Sequence, residues 1–516
     1  MSANPFQNEP FTDFSKPENQ QAFQQALDEI QGSFTKSWPA WIGGEQVTSR
    51  PTFESRDPGN LDQLIGVFQK CNDSDAERAV GAAHEAFQTW RLAPVEERTS
   101  YFFEAARRLR ERKHEFSAMM VYEAGKSWAE ADADTAEAID FMDYYARRAL
   151  ELARAPELTP IDGENNTMIY IPLGVGTIIP PWNFPLAIMC GLASAALITG
   201  NTVCLKPATA TPAIAAMWVD LMYDVGLPRN VLNFVPGSGS VVGEKMVNHA
   251  KTRFIAFTGS RDVGLDIFQK SATTNPGQVW MKRLIAEMGG KDGILVDKEC
   301  DLDAAVDSVF GSAFGFQGQK CSACSRAMIH QDVYDEFVSK LIPKVETIRQ
   351  GHPSDQTAYM GPVIDQGAKD KIMEYVGIGK QEGKLLAGGA EAEGNGYYIQ
   401  PTVFGDVAPE ARISREEIFG PVLALIKVRD FAHGLDVANN TEYGLTGSVY
   451  TNNEAHKEEA RRHFHVGNFY INRKCTGALV GVHPFGGFNM SGTDSKAGGP
   501  DYLLLFTQAK SISEKV

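Results

Sequence analysis

"VGTIIPPWNFPLAIMCGLASAALITGNTVCLKP", residues 175–207, decides the fold. "VGTIIP" and "NTVCLKP" are short β-rich runs, and residues 186–199 between them carry an apolar helical pattern. A strand, a helix and a second strand at this spacing read as one βαβ unit. The pattern goes on through the runs "VLNFVPG" and "RFIAFTGS", with helical stretches expected at 210–225, 240–249 and 262–271. Such an alternation predicts a parallel, doubly wound sheet, and the loops after its strands lie at the carboxyl edge where ligands bind. Those loops hold "PPWNFP", "KPATATP", "PGSGS" and "TGSRDVG".

Outward from this core, residues 1 to about 40 are polar and are expected to form a helical arm, followed by a strand and turn at "WPAWIGGEQV". From "DSDAERAVGAAHEAFQTW" to "TAEAIDFMDYYARRALELA" apolar residues recur at spacings of three and four, which predicts helices. The first of these opens with N-cap residues and acids at "DSDAERAV". A second α/β pattern, with "GILVD", "SRAMIHQDVYDEFVSKLI" and "VLALIKV", runs from about 285 to 485. No repeat or low-complexity linker divides the two, so the units are expected to interleave.

A chain of 516 residues exceeds one core, and two or three units are the expectation. The net charge of −16 speaks against a nucleic-acid or anionic membrane partner, both of which need basic patches. The longest apolar stretch, "PLAIMCGLASAALITG", contains Gly and Ser and runs directly into the next strand, so it reads as a buried helix and not a bilayer span. "MSANPFQNEPFTDFSKPENQ" has no apolar core and no Arg, unlike a signal or transit peptide. The 7 scattered cysteines make no secreted disulfide framework, and a reducing cytoplasm is the expected compartment.

Two of those cysteines stand three apart in "GQKCSAC", residues 318–324. A zinc site would need a second pair of Cys or His at comparable spacing, and none is present, so no metal is expected. A redox pair stays open, although a thioredoxin-type motif belongs after the first strand of a small βαβ unit and this one lies deep in the second pattern. The third reading is a single thiol nucleophile, which needs a base, an oxyanion hole and an acceptor. Each of those parts has a candidate. Glu287 stands beside a Gly-Gly turn in "AEMGGKDG", and Asn183 is an amide set between prolines in "PWNFP". Gly259 and Ser260 mark a strand-to-helix turn suited to a phosphate, and Lys206 follows a strand within reach of ribose or phosphate oxygens. Each alone has an ordinary structural explanation, and "GSGSVVG" is not the usual dinucleotide fingerprint. The weight rests on the set and its order.

That set resembles the aldehyde dehydrogenase superfamily over nearly the whole chain, through "PWNFP", "KPA", "FTGS", "EMGGKD", "GQKCSA", "EEIFGPVL" and "HPFGGFNMSG". "FGFQGQKCSA", "EYGLTGSVY", "EAIDFMDYYAR" and, most specifically, "NRKCTGALVG" resemble the branch that oxidises L-glutamate γ-semialdehyde, formed from 1-pyrroline-5-carboxylate, to L-glutamate in proline catabolism. A related ω-semialdehyde dehydrogenase, acting for example on succinate semialdehyde, is the alternative. The resemblance implies that Cys321 is the nucleophile, passing through a thiohemiacetal and a thioester, that Asn183 helps hold the oxyanion, and that Glu287 is the base. It assigns the cofactor to Pro180, Trp182, Lys206, Gly259, Ser260, Glu417 and Phe419. The substrate falls to Ser322, Gly477 and Ala478 at the α-carboxylate, to the walls Phe184 and Phe485, and to Glu137 at the α-ammonium. An exposed helix carboxylate is the other reading of Glu137. Cys324 is a bystander in this scheme. NAD is the expected coenzyme, with NADP left open because Thr209 stands where many NAD-preferring members carry an acid.

The architecture implied is an aldehyde dehydrogenase-like α/β fold. A doubly wound coenzyme domain is expected at 1–153 and 173–284, and an α/β catalytic domain at 285–485. A small β oligomerisation flap and tail fall at 154–172 and 486–516. A homodimer or larger homo-oligomer follows, with functional coupling to a proline dehydrogenase as a further expectation.

Overall fold

The computed structural model describes residues 5–516, so residues 1–4 of the expected arm lie outside it. Only Pro17–Gly32 (α1) of that arm is helical, burying Phe23, Ala26, Leu27 and Ile30 on one face. Residues 5–13 form neither helix nor strand; Pro5 and Pro10 lack the N–H that a helical ladder needs, and Pro17 opens α1. Ala40–Ile42 (β1) and Glu45–Val47 (β2) form a hairpin across Gly43 and Gly44, both at positive φ.

Four helices follow: Asp73–Trp90 (α2), Val95–Glu111 (α3), Lys113–Ala124 (α4) and Trp128–Leu152 (α5). The cap of α2 is Asn72, one residue before the stretch expected to supply it. Its side chain accepts the Asp75 N–H at 3.1 Å while the Asp75 carboxylate accepts the Asn72 N–H at 3.1 Å.

The predicted doubly wound sheet is present. Its strands are Val175–Ile179 (β3), Thr202–Leu205 (β4), Leu232–Phe234 (β5), Thr252–Thr258 (β6) and Arg283–Glu287 (β7). The spatial order is β7-β6-β3-β4-β5-β1-β2, with β3 to β7 parallel and the hairpin added antiparallel. Ala187–Ile198 (α6), Pro212–Asp224 (α7) and Arg261–Ala272 (α8) connect them. The stretch expected as a helix at 240–249 is a π-turn, Gly239–Gly243, running into a short helix, Glu244–Asn248. The chain winds outward from β3 to β5, then returns to lay β6 on the other side of β3. Loops leaving β3 and β6 therefore diverge and open a crevice at the carboxyl edge.

Met288–Asp292 carries the chain from β7 straight into a second sheet. This sheet contains Gly293–Val296 (β8), Arg326–His330 (β9), Lys384–Ala387 (β10), Thr402–Gly405 (β11), Val422–Val428 (β12), Thr446–Tyr450 (β13) and Asn468–Ile471 (β14). Its order is β10-β11-β12-β9-β8-β13-β14, parallel except for β10. β7, which spans the position 284/285, lies wholly in the first sheet.

Glu164–Pro172 and Thr507–Lys515 pair antiparallel along their full length in a ribbon of their own. Residues 486–506 of the expected flap do not join it. Phe488–Asn489 pairs with Tyr443–Gly444, and the Met288 N–H donates to Ser491 O at 2.7 Å, so this stretch runs back over the end of β7. Among the described residues no helix is long and apolar enough to cross a membrane.

Candidate active site

Where the carboxyl edge of the first sheet faces the amino edge of the second, a cavity of about 480 Å³ is lined by Cys321, Ser322, Glu287, Glu137, Phe184 and Phe485, with Gly477 and Ala478 on one side. Eight of the residues singled out in the sequence thus share one space. Asn183 and the residues assigned to the cofactor lie outside it.

Cys321 follows Leu302–Phe314 (α9) and a 3₁₀ turn, Gly315–Gly318. Phe316, Gln317 and Gly318 in that turn all have positive φ. Left-handed backbone at the two non-glycine positions costs on the order of 1–3 kcal/mol each, so surrounding contacts must hold it. Gln317 Nε2 donates to Gly125 O at 3.0 Å and Pro362 O at 2.8 Å, and Gln319 Oε1 accepts the Ile364 N–H at 3.0 Å. A Cβ on Gly318 would come within 2.3 Å of Gly420 O, which fixes glycine there. Cys321 is half-buried and unpaired. Burial, with the carboxylates of Asp292, Glu287, Glu417 and Glu137 around it, pushes its thiol well above the ordinary range.

Asn183, buried in the loop after β3, donates from Nδ2 to Gln319 O at 3.1 Å, which brings its amide alongside the Cys321 loop. Glu287 ends β7. One carboxylate oxygen accepts from the Ser495 hydroxyl and the other is buried with no partner. Burial pushes this carboxyl up to about 8 against the Ser495 hydroxyl and the Gly487 N–H, which lower it.

Glu137 on α5 is not an exposed helix carboxylate. It faces the cavity, and burial, with Asp134 adding to it, raises it to about 8. Below it the Lys126 ammonium pairs with Asp134 at 2.9 Å, fully enclosed, and sits 4.0 Å from the Phe184 ring centroid and 4.5 Å from that of Phe316. That contact fixes one aromatic wall.

Four neighbours went unrecognised in the sequence. Ser495 holds Glu287 from 208 positions away. Lys320 and Glu130 form a 2.5 Å ion pair on the cavity wall, and Lys474 lines it too. Lys320 was in view beside Cys321, but only the fold reveals its partner. Cys324 faces away from the cavity. Its thiol donates to Arg326 O at 3.4 Å in the second core and contacts Cys475, not Cys321.

Beside the cavity a ledge follows the carboxyl edge of the first sheet. Pro180 and Trp182 leave β3, and the Trp182 ring meets Phe419 edge-on at 5.5 Å. Lys206 leaves β4 with its amine buried, donating to Pro207 O at 2.9 Å; burial lowers it to about 8. Gly259 and Ser260 leave β6 at the start of α8, and the Ser260 side chain caps nothing, so the first-turn N–H groups of that helix stay available. Glu417 reaches over from the second sheet and accepts the Gly290 N–H at 3.1 Å. A Cβ on Gly289 would lie 2.1 Å from the same carboxylate oxygen. Thr209 is exposed.

The profile of the Aldehyde dehydrogenase family matches residues 43–512. A protein of Geobacillus sp. (strain WCH70) named 1-pyrroline-5-carboxylate dehydrogenase is 56% identical over 510 residues, covering 99% of each chain. The solved structure of 1-pyrroline-5-carboxylate dehydrogenase from Thermus with bound NAD is 46% identical, with TM-score 0.98 and 100% of each chain covered. Proline utilization A (PutA) from Bdellovibrio bacteriovorus is 41% identical with TM-score 0.98; the match covers 100% of this chain and 54% of that one.

Proposed function

The chain belongs to the aldehyde dehydrogenase family, and we propose that it oxidises L-glutamate γ-semialdehyde, the open form of 1-pyrroline-5-carboxylate, to L-glutamate with NAD. The observation that carries this reading is the shared cavity. Cys321 from the second sheet and Glu287 from the first open into the same space as Ser322, Gly477 and Ala478. Relatives named for this activity match the chain end to end.

Cys321, its proton taken by Glu287 and passed on to solvent, attacks the aldehyde carbon as a thiolate, giving a thiohemiacetal whose oxyanion takes hydrogen bonds from the Asn183 amide and the Cys321 N–H. Each such donor stabilises the developing charge by about 3–4 kcal/mol. NAD held on the ledge by Lys206, Glu417 and the start of α8 would supply the hydride acceptor, the one chemistry the side chains cannot. Glu287 then takes a proton from a water that attacks the thioester on Cys321, releasing the γ-carboxylate and the thiol. Ser322 and the N–H groups of Gly477 and Ala478 hold the α-carboxylate, Phe184 and Phe485 flank the chain, and Glu137 faces the α-ammonium.

The ledge fits the cofactor. The uncapped start of α8 takes the pyrophosphate beside Gly259, where a Cβ would come within 2.6 Å of the Phe257 ring. Lys206 serves the adenosine ribose and Glu417 the nicotinamide ribose, with Pro180, Trp182 and Phe419 packing along the cleft. The division into a coenzyme unit, a catalytic unit and the ribbon is part of the same proposal. So is a homo-oligomer built on the ribbon, whose residues are mostly exposed and which two strands alone would hold weakly. The likeness to PutA supports functional coupling to a proline dehydrogenase. All 7 cysteines are free, which suits work in a reducing cytoplasm.

The test is the initial rate of NADH formation with 1-pyrroline-5-carboxylate beside succinate semialdehyde, with Cys321→Ala as control. A rate far higher with the pyrroline and absent in the variant supports substrate and nucleophile together. A reversed preference moves the substrate to an ω-semialdehyde without an amino-acid head.

A further inference from the structure

The outer wall of the cavity belongs to neither sheet. Residues 5–13 cross α5 as an irregular strap, and Phe11 and Thr12 in it line the cavity directly. The strap is fastened at three places. Phe6 meets the Tyr144 ring edge-on at 5.1 Å, and a Cβ on Gly481 would lie 3.2 Å from the Phe6 ring. The Thr12 N–H and hydroxyl donate to the two oxygens of Asp132 at 2.8 and 2.5 Å, while Lys113 donates to Pro10 O at 2.8 Å. Between these, the Glu9 N–H donates to Asp140 Oδ1 at 2.7 Å, and Asn8 Nδ2 donates both to Asp140 Oδ2 at 2.7 Å and to Val480 O at 2.9 Å.

The two contacts of Asn8 matter most. Asp140 is a carboxylate only 4% exposed on α5, and Val480 lies in the same loop as Gly477 and Ala478, just after them. One amide group therefore ties the helix on one side of the cavity to a carbonyl of that loop on the other. A carbonyl held in this way fixes where the preceding N–H groups point, and a shift of a fraction of an ångström there weakens a carboxylate contact.

We infer that Asn8 is a positioning residue for the Gly477–Ala478 loop, and that the strap, with Phe11 as its wall, sets the preference for an aldehyde carrying a carboxylate head. This rests on the proposed reading of that loop as the α-carboxylate holder. It assigns a role in substrate choice to a segment outside both sheets.

The experiment compares the semialdehyde with propanal, which has no head group, in wild-type enzyme and Asn8→Ala. The expected result is a KM for the semialdehyde raised about tenfold, the effect of one hydrogen bond, with kcat and the propanal constants within about twofold of wild type. Propanal and semialdehyde affected alike, or neither affected, overturns the inference. Should Asn8→Ala not fold, Phe11→Ala decides. Phe11 is 60% exposed, so its truncation leaves the core intact, and a ratio of semialdehyde to propanal kcat/KM at least threefold below wild type is expected. An unchanged ratio in that variant overturns the inference. A wild-type enzyme that prefers propanal removes the substrate reading and this inference together. A wild type that prefers the semialdehyde, beside variants with the same ratio, removes this inference alone.

Discussion

Glu287 has one carboxylate oxygen on the Ser495 hydroxyl and the other buried without a partner, and burial pushes it up to about 8. A base works in its ionised form, so turnover is expected to rise with pH and level off above about 8. The Ser495 hydrogen bond favours the ionised form. Ser495→Ala removes it, and the inflection should move to higher pH with a lower rate near neutrality. A pH profile of kcat/KM for both enzymes checks this, and an unmoved or acid-shifted inflection counts against Glu287 as the titrating base. At this scale the sequence was legible where chemistry forces close packing. Glu287 stands beside two glycines that the Glu417 and Asp292 carboxylates crowd, and Cys321 follows a glycine that Gly420 crowds. Ser495 and Glu130 were not legible, because a hydroxyl or carboxylate far along the chain shows nothing of its partner until the chain folds.

Gly289 stands in the link between the sheets, where its missing side chain leaves room for Glu417. Gly289→Ala places a methyl 2.1 Å from an oxygen of that carboxylate, far inside van der Waals contact, and must displace it. The expected result is a KM for NAD raised roughly tenfold or more, the scale of one lost hydrogen bond to a charged group, with the KM for the semialdehyde little changed. Steady-state kinetics with each substrate varied in turn separates the two, and an equal rise in both would point to general disruption of the link. Elements followed the sequence where their burial is continuous. β4 is enclosed on both faces and reads as an unbroken apolar run, and α6 is apolar all round. The reading failed on residues 5–13, where polar composition suggested a helix but Pro5 and Pro10 keep the chain out of the helical ladder, and at 240–249, where a π-turn replaces the first helical turn.

For the molecule as a whole, the alternation of strands and helices was enough to foresee the first sheet and its carboxyl edge. The change of pattern read at about 285 lies beside the link at Met288–Asp292, although no linker composition marks it. The ribbon of Glu164–Pro172 with Thr507–Lys515 carries the proposed self-association, and a chain ended at Phe506 should lose it. Light scattering is expected to show the full chain as an oligomer and the shortened one as a monomer; a shortened chain of unchanged mass would place the interface elsewhere. The same long-range stitching governs when the molecule becomes active during its synthesis. A growing chain that has just passed Cys321 carries a thiol and a carboxylate, but not the hydroxyl at residue 495 that holds Glu287, nor the strand that closes the ribbon. Chains fold from the amino end as they emerge, so the first sheet takes shape early while its catalytic edge stands idle. The site is therefore complete only when the last part of the chain, with Ser495 and the closing strand, has been added.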